Sequence, residues 1–538
     1  MLPSSTDFIG GYSHLTPLGL VSTSMPLSFR GLSFFFKKTQ TSKGIFIGIQ
    51  TVRFGLYRLE SNTSKSKGLD SKASLIDPTF TNTTNTMLIR FVINNLFSFF
   101  DAKEFNMLPS PQYKKLSHHK YHIKGFELLK MSSIYGANGA GKSNLIKSLF
   151  LLKEMILNEN IPKSFTDKQF KLLKPKNKLS QILSVEFFQQ GKLFYYAIEI
   201  NDGIVFTEEL YESGLGKKDD ELIFERKTNK DKKTLIKFSE KFESNNENLV
   251  LKKVIEKSLS KPNKPLFKLL TTLENPFLAD IETALNWFEE TLQIVMPDSK
   301  PIALAHQIDI DKAFREYAED IMLSFNTGIH GIKPERKKLK EFFGEEVELD
   351  GLLKDIEDSP QKMIGKKWND DEIILVKEDE EVLVKQLKLE HSGKEDVIAD
   401  FNLDEESDGT VRLLDFIPAF KSVASENKVF IIDEIERSIH PLLIKALVEK
   451  FSQDKQSNGQ LIFTTHESSL LDQSIFRADE IWFVEKDKNG CTDIYPLSDF
   501  KEHHITNIRK GYLNGRYGSI PFLANLKDLN WHQYDTEE

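Results

Sequence analysis

One cysteine, Cys491, stands among 538 residues, so neither a disulfide framework nor a cysteine-based zinc site can be assembled, and a reducing compartment fits best. No apolar run approaches the roughly 18 to 20 residues that a membrane-crossing helix needs. A basic excess is also missing. Lys plus Arg number 72 against 80 Asp plus Glu, a formal charge of −8, which leaves no global footprint for nucleic acid. No long heptad array occurs, which excludes a rod-like coiled coil. What is present is ordinary for a soluble globular chain: 39% hydrophobic and 28% charged residues, enough for two to four domain-sized cores. We expect a cytoplasmic protein with no membrane partner.

Residues 1–86 stand apart. They hold nine basic and four acidic side chains, are rich in Ser and Thr, and end in the polar run Thr81 to Thr86 with no sustained helical or strand period. This stretch is expected to be a disordered extension or a mis-assigned start, with Met87 as the working start; a transit peptide is the alternative. From Met87 onward the order predicts one split α/β domain. Residues 87–244 carry a strand at 87–93, a second from Phe126 to Ile134, a helix over 145–156 and an antiparallel meander from Leu183 to Glu225, turning at Gly191 and Asp202-Gly203. Residues 245–395 form an insertion lobe expected to be mostly helical, its pieces to about 345 separated by prolines, with strand patterns returning from about 370. Residues 396–538 complete the domain with helix, buried strand, helix and further strands.

The segment Gly136-Ala137-Asn138-Gly139-Ala140-Gly141-Lys142-Ser143-Asn144 fits the full phosphate-loop pattern GxxxxGK[ST] and lies between a predicted strand and helix. Its glycines let backbone N–H groups turn toward one point, and the new helix adds its positive end, so phosphate oxygens are the natural occupant. Lys142 would reach the terminal phosphates and the Ser143 hydroxyl would hold Mg²⁺.

A second half-site is written far downstream. Lys428-Val-Phe-Ile-Ile-Asp433-Glu434 is an apolar run ending in two carboxylates, as expected of a buried parallel strand that opens into a ligand crevice. There Asp433 would hold Mg²⁺ and Glu434 would polarise water as general base. Gln460 to His466 is a similar run ending in a histidine placed to sense a γ-phosphate. Between the halves, Asp404-Glu-Glu-Ser407-Asp408-Gly409-Thr410 precedes a helix from Val411 to about Ser422, with Ser407 or Asp408 as cap.

Phosphate loop, Ser-Asp-Gly turn, Asp-Glu strand and strand-end histidine, in this order, resemble the ABC-type ATPase head of the SMC and DNA-repair clan. The wording is closer still to stand-alone AAA-type ATPases of class fifteen. Those are related to the ATPase halves of OLD-type proteins and occur in abortive-infection and anti-phage systems. The matching text is Met87–Phe91, Asn95–Phe99, Tyr135–Asn144, Glu406–Thr410, Ile432–Pro441, Phe463–His466 and Gly511–Pro521, spanning most of 87–538. The resemblance implies a P-loop head with mixed sheet, and a homodimer sandwiching two ATP molecules with Mg²⁺. Each nucleotide would lie between one copy's phosphate loop and Ser407 and Gly409 of the other. It also implies a D-loop at Glu436-Arg437-Ser438 and a switch role for His466. No Q-loop glutamine is assigned, Gln169 and Gln181 being candidates.

The implied function is an ATP-hydrolysing switch that drives a separate effector, a nuclease or toxin, in anti-phage defence. The alternative is a DNA-repair or chromosome-associated ATPase acting on nucleic acid. A built-in nuclease is disfavoured because only 72 residues follow His466. Asp472, Asp479 and Glu480 read as a solvated face, and His118-His119 and His503-His504 as surface pairs. A transporter subunit would carry a Leu-Ser-Gly-Gly-Gln-like signature, a GTPase needs Asn-Lys-x-Asp, and a passive ATP scaffold would not need Glu434. Nucleic-acid contact stays open. Lys227–Lys237 and Glu335–Lys340 could meet phosphates, although interspersed acids favour solvated helix faces.

Overall fold

A computed structural model describes residues 86–123, 125–172, 179–301, 304–344, 350–359, 362–368, 371–379, 381–500 and 507–520. The expected extension over 1–86, save Thr86, and the pair His503-His504 therefore lie outside the described residues. The described chain is a mixed α/β structure built on three sheets and one two-stranded ribbon.

The central sheet runs in the order Leu292–Val295, Val429–Ile432, Gln460–Thr465, Met131–Gly136, Ile481–Lys486 and Thr492–Pro496. Its first five strands are parallel and the last is antiparallel. Val429-Phe-Ile-Ile432 is buried at every position, as a strand covered on both faces must be. One face packs with the helix Lys142–Leu157 and a seven-stranded antiparallel sheet, burying Leu145, Leu149, Leu152, Phe187 and Trp287 in one core. The other face packs against the helices Asp408–Ser425 and Pro441–Gln453 through Leu413, Phe416, Ile444 and Phe463. No described helix is long and apolar enough to cross a membrane.

The seven-stranded sheet, ordered Thr234–Phe238, Glu221–Thr228, Ile204–Glu212, Lys192–Asn201, Gln181–Gln189, Met87–Asn94 and Lys103–Asn106, contains the expected meander. One side chain ties it to the central sheet. The fully buried Gln460 amide accepts from Leu88 N at 2.9 Å and donates to Leu129 O at 2.9 Å and Leu88 O at 3.2 Å.

Four expectations are corrected. The strand expected over Phe126–Ile134 is two strands. Phe126–Leu129 pairs with Lys120–Ile123, and Met131–Gly136 enters the central sheet. The break falls at Lys130, which is 1% exposed and donates to Phe451 O at 2.6 Å and to Asp454 O. A buried ammonium needs acceptors, and the carbonyl end of the helix Pro441–Gln453 supplies them.

Within 245–395 helices run, with interruptions, to Ser324 and recur at Leu339–Phe343 and Asp350–Asp358, and the strands expected from about 370 are present, but strands also appear earlier than expected. Leu292–Val295 is a strand of the central sheet. Ile329–Lys338, Glu381–Ser392, Asp371–Glu378 and Met363–Trp368 form a third sheet, with Ile398–Asn402 against the far end of Glu381–Ser392. The Lys/Glu text that reads as helix surface serves cross-strand ion pairs instead, such as Lys338–Glu381 at 2.7 Å and Lys333–Asp400 at 3.0 Å. Lys227 and Lys237 likewise sit on strands, not on helix faces.

Asp479, Glu480 and His119 are buried rather than solvated. His119 Nδ1 lies 3.0 Å from Glu480 and Nε2 lies 3.0 Å from Ser452 Oγ, while Arg477 pairs with Asp479 at 2.7 Å. Adjacent histidines do diverge, but from the short turn Ser117–His119 one points inward. Finally, the helix expected from Val411 begins at Asp408, capped by Ser407, whose Oγ accepts from Thr410 N at 3.1 Å.

The Gln460 clamp yields a stability prediction. In Gln460→Leu three buried backbone groups lose their partner, and unpaired buried groups cost about 1–3 kcal/mol each. A loss on the order of 3 kcal/mol is expected, read as a lower midpoint in denaturant titration.

Candidate functional site

Parallel register brings the sequence-predicted residues to one level. Ile432 pairs with Phe463, Phe463 with Ser133 and Thr465 with Tyr135, so Asp433, His466 and Gly136 all emerge at the carboxyl edge of adjacent strands. Open α/β sheets bind ligands at that edge.

The phosphate loop leaves the sheet at Gly136, where a side chain would collide with the Val484 carbonyl. Asn138 and Gly139 are exposed at its tip, and Gly139 and Gly141 take φ of +75° and +121°, conformations that favour glycine. Ala140 N closes on Ala137 O at 3.1 Å, and Lys142, Ser143 and Asn144 open the helix. The loop is bolted from two sides that the sequence did not assign. Thr492 Oγ1 donates to Ala140 O at 2.8 Å and lies 2.7 Å from Ser98 Oγ, while Asn144 Nδ2 donates to Ser98 Oγ at 2.8 Å. Ser98 stands within the Asn95–Phe99 text, where Asn95 and Phe97 adopt φ of +49° and +53°. Thr492 carried no signal, being an unremarkable strand residue.

Lys142 is 4% exposed. Its Nζ donates to Gly136 O at 2.8 Å and Ala137 O at 3.3 Å, and lies 3.0 Å from His466 Nε2. Burial pushes its pKa down to about 8 against the pull of Glu436, Asp433 and Glu434. Burial, followed by the Lys142 charge, lowers His466 to about 4, so at neutral pH the imidazole is uncharged.

Asp433 is fully buried. Its backbone N–H donates to Val295 O at 2.9 Å and its Oδ1 accepts from Thr464 Oγ1 at 2.6 Å. Thr464 Oγ1 in turn accepts from Glu434 N at 2.8 Å. Asp433 Oδ2 is buried with no hydrogen-bond partner among the described residues. Glu434 adopts φ +54°, which turns the chain sharply after the strand, and Ser438 repeats this at +60°. Glu436, read only as part of the D-loop, accepts from His466 N.

Ser407 is exposed, and Gly409 packs so closely on the Ser438 carbonyl that a Cβ would lie 2.7 Å from it. The Ser-Asp-Gly turn thus joins the D-loop of its own chain, and no hydrogen bond among the described residues links Ser407 or Gly409 to the phosphate loop. Of the glutamine candidates, Gln181 is buried and donates to Phe165 O at 3.0 Å, while Gln169 closes the turn Lys163–Lys168.

A phosphate loop on a mainly parallel sheet, with a buried lysine facing strand-end carboxylates and a histidine, defines a P-loop ATPase-type head. The chain belongs to the family described as "AAA domain, putative AbiEii toxin, Type IV TA system", whose profile matches residues 131–472. No curated protein matches the sequence. Solved structures that align with it include the SmcHead bound to the C-winged helix domain of ScpA, at 12% identity over 76% of this chain and 97% of that one, TM-score 0.36. The SMC head domain from Thermotoga maritima aligns at 12% identity over 76% and 98%, TM-score 0.32. The Smc head with an extended coiled coil, bound to the C-terminal domain of ScpA derived from Pyrococcus furiosus, aligns at 11% over 80% and 99%, TM-score 0.33.

The buried lysine predicts a pH effect on the empty protein. Lys142 has a folded pKa of about 8, below the 10.5 of a free lysine, so its burial penalty is full below pH 8 and gone above 10.5. Between those limits the parent gains stability relative to Lys142→Met as pH rises. Paired unfolding midpoints at pH 7.5, 9 and 10.5 check this.

Proposed function

We propose that this protein binds and hydrolyses ATP with Mg²⁺ and works as a nucleotide-sandwich homodimer that switches a separate effector. The observation that carries the reading is Asp433 Oδ2, a buried carboxylate oxygen without a hydrogen-bond partner among the described residues, at the strand edge that also presents Lys142 and His466. Buried polar atoms are normally satisfied, and a hard cation held with the Ser143 hydroxyl fits this donor set. Such an ion would neutralise charge on the transferred phosphoryl group.

The remaining work falls to side chains. Residues Gly136 to Asn144 cradle the phosphates through backbone N–H groups, and Lys142 leaves its loop carbonyls for phosphate oxygens that favour its charged form. Glu434, half-buried past its turn, takes the proton of the attacking water. Neutral His466 offers a ring nitrogen to the terminal phosphate. Exposed Ser407 and half-buried Gly409, beside Ser438, complete the site of a second copy.

Residues 87–244 and 396–538 make up the head. Within 245–395, the third sheet is the part suited to pass the change onward, because it runs through Ile398–Asn402 straight into the Ser407 turn. His391 on Glu381–Ser392 binds Glu406 at 2.6 Å, one residue before Ser407. Differential contacts in the closed dimer are what a population shift requires. The family's description, which names a toxin–antitoxin system, supports a setting in defence or toxin control; the effector we propose is a nuclease or toxin on a separate chain in the cytoplasm.

Lys142→Ala is expected to lose ATP binding in equilibrium titration. Glu434→Gln should bind normally but hydrolyse on the order of 10²-fold more slowly, accumulating dimer in size-exclusion chromatography with ATP. Turnover at the parent rate would remove Glu434 as base. Ser407→Arg should abolish that dimer while single-site affinity stays near the parent value, and collapsed affinity would refute action in trans.

A further inference from the structure

The loop after the carboxylate strand holds a second, half-buried carboxylate with no assigned task. Glu434 at φ +54° and Ser438 at +60° bend residues 433–438 into consecutive turns, closed by Arg437 N on Glu434 O at 2.9 Å and Ile439 N on Glu436 O at 3.0 Å. That bend returns the Glu436 side chain to the end of the neighbouring strand. One carboxylate oxygen accepts from His466 N. The other oxygen, Oε2, is buried with no hydrogen-bond partner among the described residues.

The same two loops are tied further back. Glu434 N reaches Thr464 Oγ1 at 2.8 Å and Ile435 N reaches Thr464 O at 3.1 Å. Those contacts hold the strand end, but none of them holds His466. Past Thr465 the chain leaves the sheet, and Glu467 N turns back onto Thr465 Oγ1 at 3.0 Å. Glu436 therefore holds the His466 backbone where its imidazole stands 3.0 Å from Lys142 Nζ. A carboxylate accepting a backbone N–H makes a charge-assisted bond, stronger than the neutral alternatives in this loop.

We propose that Glu436 is a positioning residue for ATP hydrolysis: it acts through His466, holding that residue's backbone so that the imidazole faces the lysine and the phosphate it serves. This rests on the hydrolytic reading above. A placement error on the order of 1 Å can cost roughly 10²-fold in rate without touching the chemistry itself. The loss should therefore appear in kcat and not in nucleotide affinity.

The test is a set of full-length variants, with steady-state ATP hydrolysis, equilibrium binding of a fluorescent ATP analogue and unfolding midpoints read on each. Glu436→Ala is expected to lower kcat about 10- to 100-fold with KM within about threefold. Glu436→Gln, whose amide oxygen still accepts from His466 N, should recover most of that loss. Glu436→Ala combined with His466→Ala should be no slower than His466→Ala alone, because the first residue acts through the second. Rates that multiply in the double variant, a Gln variant as slow as Ala, or Glu436→Ala at the parent rate would each overturn the proposal. If the parent shows no turnover that Lys142→Ala removes, the hydrolytic reading fails instead. Should Glu436→Ala not fold, the Gln variant and its double with His466→Ala carry the same comparison.

Discussion

Everything at the candidate site depends on the register of three parallel strands. Met131–Gly136, Val429–Ile432 and Gln460–Thr465 come from opposite ends of the described chain, and their ladder fixes how far each projects beyond the sheet. A slip of one residue would exchange inward for outward side chains. Burial on both faces makes such a slip costly, and Gln460 strengthens the lock by occupying backbone groups of Leu88 and Leu129 at the opposite edge. The chemistry at the carboxyl edge is thus held by apolar packing and by an amide placed well away from it.

Two kinds of buried charge separate structure from function in this molecule. Glu208, fully buried, accepts from Leu266 N, Phe267 N and Tyr196 Oη and faces Arg226, so its carboxylate is thoroughly engaged. Lys130 and the His119–Glu480 contact are likewise closed by partners within the fold. Such groups join strands and loops that the chain would otherwise leave apart. At the strand edge the pattern differs. Asp433 and Glu436 each keep one buried oxygen without a partner among the described residues, and Lys142 is held by loop carbonyls and an imidazole rather than by a carboxylate. Two carboxylate oxygens without a hydrogen-bond partner among the described residues, set at one strand edge beside a lysine, are groups that a charged ligand would complete.

What could be read in the sequence was what local residues dictate. A glycine-rich loop between strand and helix, an apolar run ending in Asp433-Glu434 and another ending in His466 each announce themselves within ten residues. The structure brings Lys142 and His466 into contact and sets Asp433 at the same edge. Contacts between distant segments left no such trace. The grip of Ser98 and Thr492 on the loop, the break at Lys130 and the burial of His119 and Glu480 all depend on partners hundreds of positions away. The third sheet was legible from about 370 onward, but its strand Ile329–Lys338 was hidden for another reason: alternating Lys and Glu suit an exposed helix and a cross-strand ladder equally well, and only tertiary pairing decides between them.

One short strand changes how this protein could be taken apart. Leu292–Val295 lies within residues 245–395, the stretch proposed as an interruption, yet it forms an outer strand of the central sheet, and Val295 O receives the backbone N–H of Asp433. A graft that exchanged the whole interruption for that of a cousin would remove a wall of the candidate site along with it. The exchangeable cassette therefore begins after Val295, and a chimera joined earlier would inherit a foreign support beneath its own acid.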